Sequence, residues 1–335
     1  MLHQPSQEKY RKYWIDAMRG LAMLFVIFGH HCPEFTEYFV ITSPIKIPLF
    51  FAITGYVFNS RDGDVKGFFT NLFWKLIVPW FFLSLLPLKL VNAAIHLSAA
   101  SAGRYIYEFI SGGILWYMPC CILAEIIQFF VRMFCKGWSR YAIMTGIAAT
   151  GLVLAHHEIG SFAGFNTACI AQFFIAVGLW LKEEKMLRIR KGAAVGIVCV
   201  VYAIGIIVTL VAYPGQNLDV HTNSYYNLLI CSVLIVAGCV ACFIGAEWLD
   251  SKYPIKKNNP LVFIGQNTLV YYMLCSYVIK VWEKGLKLIH ISIPASPLEW
   301  IINTVVMCIG CAVIALVINR LAPWIVGKKK ATTFV

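Results

Sequence analysis

This sequence predicts an all-α, polytopic membrane protein of about ten transmembrane helices with both termini cytoplasmic, on three observations. The first is composition: of 335 residues 60% are hydrophobic and only 13% charged, with a mean hydropathy of +0.73. A soluble domain is nearer half apolar and a quarter charged. The second is that the apolar residues gather in ten runs separated by short polar connections. The third is that Lys and Arg collect at alternate ends of those runs. A span and its connection use roughly 30 residues, so the whole chain, 1–335, is accounted for as a single integral-membrane domain.

The runs cover roughly 14–32, 44–60, 71–97, 112–134, 141–157, 164–182, 192–213, 226–249, 261–282 and 298–325. In hydrocarbon each is expected to be a helix, because a helix satisfies its own backbone hydrogen bonds. Pro79, Pro87 and Pro119 lie in or near runs and are expected to kink helices rather than end them. The opening MLHQPSQEKYRKYW lacks the apolar core and cleavage site of a signal peptide, so the first run is expected to be retained.

Counted at alternate ends, Lys and Arg divide 21 against 6, with Arg19 inside the first run. The richer side takes both termini, which places them in the cytoplasm; an even number of spans requires the same. The Lys280, Lys284 and Lys287 group runs against this trend. Because the basic residues flank apolar runs, the net charge of +12 orients the chain among membrane lipids, and no nucleic-acid partner is expected. The twelve cysteines lie almost entirely inside apolar runs with no zinc spacing, which marks them as small packing residues; no metal is expected.

Charged residues inside a span are costly and are candidates for function. The first run, WIDAMRGLAMLFVIFGHH, holds Asp16, Arg19 and His30. Eleven steps of about 100° leave Arg19 and His30 only some 20° apart around the helix, and Asp16 shares that stripe. His31 points about 100° away, which favours His30. At about 1.5 Å per residue the Arg-to-His separation is roughly 16 Å, so the arginine sits near one mouth and the histidine deep in or beyond the midplane. An ion pair at a helix entrance plus an interfacial histidine is the simpler alternative. An imidazole titrates near neutrality and suits general-base work. Glu125, in the fourth run, is either a second polar element of the same site or a structural hydrogen-bonding group. Trp116 and Tyr117 are placed as interfacial aromatic residues, and Asn166, Gln172, Gln266 and Asn267 suit contacts between helices. No GxSxG elbow, HExxH helix or Walker loop is present, which removes membrane esterase, metalloprotease and ATP-driven pump readings.

Four segments resemble the acyltransferase 3 family of multi-pass membrane acyltransferases, in its sugar O-acetyltransferase branch. The family's D-x-x-R-G helix running to a His corresponds to Asp16, Arg19, Gly20 and His30. Its P-L-F-F-x-x-S-G-Y/F helix corresponds to IPLFFAITGYVF, 47–58, with Thr54 in the Ser position. LWYMP, 115–119, matches its L-W-Y/F-L-P, and GQNTLVYY, 265–272, matches its late G-x-N-S/T-L-x-x-Y. Of the family's cytoplasmic Arg-x-x-Arg pair, NLFWKLIVPW keeps Lys75 in the neighbourhood, and Cys275 stands where many relatives have His.

The resemblance implies O-acetylation of a cell-envelope polysaccharide or its lipid-linked precursor, with acetyl-CoA as acyl donor, in a bacterial inner membrane. It implies His30 as general base or transient acyl carrier, and Arg19, held by Asp16, organising the donor end. Lys75, Arg61, Lys66 or other cytoplasmic basic residues would meet the donor phosphates, Trp116 and Tyr117 would shape the acceptor side, and Glu125 would add to the substrate site. Two alternatives stay open: transfer of another acyl group such as succinyl, and a glycan or small-molecule transporter. A transporter is expected to show two related halves or paired broken helices, and this sequence shows neither.

Overall fold

A computed structural model describes residues 12–32, 35–58, 63–85, 99–113, 115–159, 161–183, 191–291, 293 and 296–328. The described residues are helical apart from turns, short connections and one isolated pairing of Asp219 with Ser224. In chain order the helices are α1 (Tyr13–Gly29), α2 (Thr36–Val57) and α3 (Val65–Leu72), the last continuing through a π-turn at Phe73–Ile77 into α4 (Val78–Leu85). Then come α5 (Ala99–Ser111), α6 (Tyr117–Phe134), α7 (Trp138–His156), α8 (Phe165–Glu183), α9 (Lys191–Ala212), α10 (Leu228–Lys252), α11 (Pro260–Gln266), α12 (Thr268–Leu288) and α13 (Pro297–Leu321). A short 3₁₀ turn at Pro323–Val326 follows.

Six described helices are long and apolar enough to cross a membrane, and α11 with α12, bent by 92° at their break, makes a seventh as one broken span. The described parts of the other expected runs also form helices, but these are short, interrupted or more polar; α1, for example, has 17 residues. The protein is thus an all-helical, multi-pass membrane protein with six to seven such spans among the described residues. The outer surface of α13 shows why a bilayer is needed. Ile301, Val305, Ile309, Val313 and Leu316 form an exposed stripe, while Asn303, Met307, Cys311, Ala315 and Ile318 face the bundle. Both faces are apolar, whereas a helix with one face in water carries a polar stripe.

The prolines behave differently from one another. Pro79 cannot donate the hydrogen bond to the Lys75 carbonyl that an α-helix requires, and the chain answers with the π-turn that ends two residues before it. Pro119 sits in the first turn of α6, where no such donor is needed, so it starts a helix instead of kinking one. Pro87 lies outside the described residues. α2 begins at Thr36, well before the expected 44, because Pro44 and Pro48 are carried inside it.

Glycines set the closest approaches. A Cβ on Gly20 would fall on the Leu261 carbonyl of α11, and one on Gly265 would fall on the Asp16 carbonyl of α1. The same reciprocal arrangement joins α2 to α8, Gly55 against Ile175 and Gly178 against Ala52. With no hydrophobic force between helices in lipid, such backbone contact through small residues is a principal source of association. Gln172 reinforces it, its amide donating to the Ala124 carbonyl of α6 at 3.1 Å.

Candidate active site along α1

The four motif segments, far apart in sequence, join in one series of contacts: α1 packs on α2 and α11, and the LWYMP segment packs on α2 and α12. Gly20 and Gly265 bring the first and last segments together, so that the buried Asp16 accepts a hydrogen bond at Oδ2 from Gln266 Nε2 at 3.0 Å. Tyr272, one helical turn into α12, receives the Tyr117 backbone N–H on its hydroxyl at 3.3 Å, and the two rings meet edge to face at 5.4 Å. Tyr117 in turn packs against Phe50 and Phe51 of α2, with centroids 6.1 and 5.4 Å away. Thr54, in the Ser position of the second segment, spends its hydroxyl on the Phe50 carbonyl at 3.1 Å.

At the N-terminal end of α1 lies a cavity of about 120 Å³, lined by Arg19, the break residues Gly265 to Val270, and Val326. Asn267 shapes the break. Its amide nitrogen donates to the Phe263 carbonyl at 2.7 Å, and its carbonyl oxygen accepts from Asn319 at 2.9 Å and from Lys328 Nζ at 2.7 Å. The Pro323–Val326 turn lies on the π-turn, where a Cβ on Gly327 would come within 3.0 Å of the Lys75 Cα. Lys75 and Arg19 both lie within electrostatic reach of Glu125, which is half-buried on α6. Arg19 and Lys75 each act on the Glu125 charge, although three separate elements carry the three residues.

His30 stands at the other end. It caps α1, its N–H bonded to the Ile27 carbonyl at 3.2 Å, and its side chain is exposed. His31 turns away, with its Nε2 3.2 Å from the Met307 sulfur. Because α1 is unbroken between them, Arg19 and His30 keep their separation of roughly 16 Å. The interval is filled by Met23 and Ile27, packed with Tyr271, Cys275, Met307 and Cys311. Cys275 is thus a buried part of that packing, its thiol directed at the Tyr272 carbonyl at 3.8 Å. Trp116 stacks on His221, from the loop between α9 and α10, at 4.6 Å.

Sequence reasoning treated Gln266 and Asn267 as general interhelical contacts and passed over Asn319 and Lys328. Gly265, directly before Gln266 and Asn267, was the available signal for the first pair; nothing local in the sequence marked the others. Replacing Gln266 with Leu is expected to cost about 1–3 kcal/mol of stability, because Asp16 loses a hydrogen bond where water cannot replace it. A lowered thermal midpoint in detergent, with the protein still inserted, is the expected reading.

An all-helical membrane bundle that gathers an Asp–Arg stripe, an exposed histidine and a broken late span around one helix has the build of a multi-pass membrane enzyme. The family model described as an acyltransferase domain matches residues 12–320, nearly the whole chain, and the chain belongs to the acyltransferase 3 family. It is a membrane acyltransferase. No curated protein and no solved structure gives a significant match.

Proposed function

We propose that the protein is an O-acetyltransferase that takes the acetyl group of cytoplasmic acetyl-CoA and places it on a hydroxyl of a cell-envelope polysaccharide or its lipid-linked precursor, within a bacterial inner membrane. The observation that carries this reading is the arrangement along α1, with the Arg19 cavity and Lys75 at one end and the exposed His30 at the other. A separation of roughly 16 Å suits a donor whose phosphates and thioester are joined by a long flexible arm.

In this reading the cationic Arg19 and Lys75 bind the donor phosphates, with both termini on that cytoplasmic side. Asp16, fixed by Gln266, orients Arg19. His30 takes the proton of the sugar hydroxyl as its oxygen attacks the thioester carbonyl. Collapse of the tetrahedral intermediate breaks the carbon–sulfur bond, and the proton goes to the departing thiolate. Trp116 offers an aromatic surface to the sugar, and Tyr117, packed among Phe50, Phe51 and Tyr272, holds it from behind.

The donor is tested by thermal stabilisation of the purified protein. Acetyl-CoA is expected to raise the unfolding midpoint of wild type, and to raise it far less in a Lys75→Ala variant. A larger rise with succinyl-CoA points to the longer acyl group. No rise with any acyl-CoA, together with glycan movement across vesicles that lack acyl-CoA, establishes a transporter instead.

A further inference from the structure

After α13 the chain turns back and meets two elements of the candidate site at once. Lys328 Nζ donates to Asn267 Oδ1 at 2.7 Å and to Asn319 Oδ1 of α13 at 2.9 Å, and Asn319 Nδ2 closes the triangle on Asn267 Oδ1 at 2.9 Å. Asn267 is buried at the 92° break between α11 and α12, and its own amide nitrogen donates to the Phe263 carbonyl at 2.7 Å. A buried amide requires such partners. The break is therefore fixed from two directions, by Phe263 of α11 and by Lys328 from the segment after α13.

One residue earlier the same segment rests on the π-turn. Gly327 has a left-handed backbone, with φ +67°, and a Cβ there would come within 2.9 Å of the Trp74 carbonyl oxygen and 3.0 Å of the Lys75 Cα. Glycine alone meets both demands without strain. Val326, next to it, lines the cavity together with Arg19. Ile325 and Val326 pack in one cluster with Val270 and Leu274 of α12, and Trp324 meets Phe82 of α4 edge to face at 5.0 Å. Arg19 belongs to the α1–α11 unit that Gly20 and Gly265 lock together, whereas Lys75 belongs to the π-turn. Residues 323–328 touch both units.

We propose that residues 323–328 form a strap that sets the spacing between the unit carrying Arg19 and the turn carrying Lys75, and that Lys328 is the positioning residue that fastens it. This rests on the reading of Arg19 and Lys75 as the groups that bind the donor phosphates. Attraction of one phosphate group to two cations depends on both separations. A misplacement of about 1 Å introduced far from the chemistry costs on the order of 100-fold. Lys328 acts through Asn267 and the turn, its ammonium directed at the two amide oxygens.

The test uses full-length protein in nanodiscs, below the unfolding midpoint of every variant. Acetyl-CoA binding is measured by calorimetric titration, and hydrogen exchange at Phe73–Ile77 and at 265–270 is followed by mass spectrometry. Initial rates of label transfer from acetyl-CoA into envelope glycan, measured in membranes, separate kcat from KM. Lys328→Met is expected to weaken binding and raise KM for acetyl-CoA roughly tenfold, with kcat nearly unchanged and exchange faster in both segments. Lys328→Arg, which can still donate to both amides, is expected to recover most of the binding. Gly327→Ala lifts the strap at its other end and is expected to give the same pattern as Lys328→Met. Should Lys328→Met fail to fold, Asn319→Ala repeats the measurement by removing one of the amide oxygens that hold the lysine. Faster exchange with unchanged binding and KM makes the segment a structural tie only and overturns the proposal, and so does unchanged exchange in folded Lys328→Met. Wild type that binds no acyl-CoA overturns the donor reading, and the positioning role with it, even where exchange still reports the strap; the two failures are thereby told apart.

Discussion

A Gly265→Ala variant is expected to lose most of its folded population, a penalty above about 4 kcal/mol for one added methyl group. On propensity alone the substitution should help, since alanine is favoured over glycine in a helix by about 1 kcal/mol. Sterics decide the sign. The new Cβ would fall on the Asp16 carbonyl, which is backbone and has no rotamer by which to move aside. Separating α1 from α11 would also break the Gln266 to Asp16 hydrogen bond and open the Arg19 cavity. Gly20→Ala meets the Leu261 carbonyl in the same way. Gly245 of α10 provides the control, because a Cβ there meets nothing within 4 Å. Size-exclusion profiles and thermal midpoints in detergent should show Gly245→Ala near wild type and Gly265→Ala aggregated or absent. Equal behaviour of the two would contradict the backbone contact between α1 and α11.

An Arg19→Ala variant should insert and fold yet lose transfer by roughly 10²–10³-fold, the scale on which removal of one preorganised electrostatic group acts. The fold is expected to survive because Arg19 borders a cavity and is only partly buried, unlike Asp16 beside it. Arg19→Lys is expected to recover only part of the activity, since an ammonium is a point charge and lacks the guanidinium fork for phosphate. If the arginine holds the donor, the loss should be carried mainly by the Michaelis constant for acyl-CoA. Initial rates across acyl-CoA concentration distinguish this from a loss of chemistry alone.

Much of this architecture was legible in the residues. Composition and the apolar runs gave an all-helical membrane protein, since an apolar run in lipid has no other way to satisfy its backbone. The stripe of Asp16, Arg19 and His30 survives in the structure because α1 is an unbroken helix, so angular spacing carried directly into geometry. What sequence could not supply were contacts between distant helices. The hydrogen bond from Lys328 to Asn267 spans 61 positions and depends on a chain reversal after α13 that no local pattern encodes. The break at Asn267 was likewise hidden. One hydrophobic run covers α11 and most of α12, and at the 92° bend between them side chains from α13 and the residues after it meet Asn267.

The most direct test of the central claim is transfer of label from acetyl-CoA into envelope glycan by membranes holding wild type or His30→Ala at equal abundance. The account predicts label in glycan with wild type and none above background with His30→Ala, while His31→Ala keeps substantial activity. Equal labelling by wild type and His30→Ala would contradict it and move the chemistry away from α1.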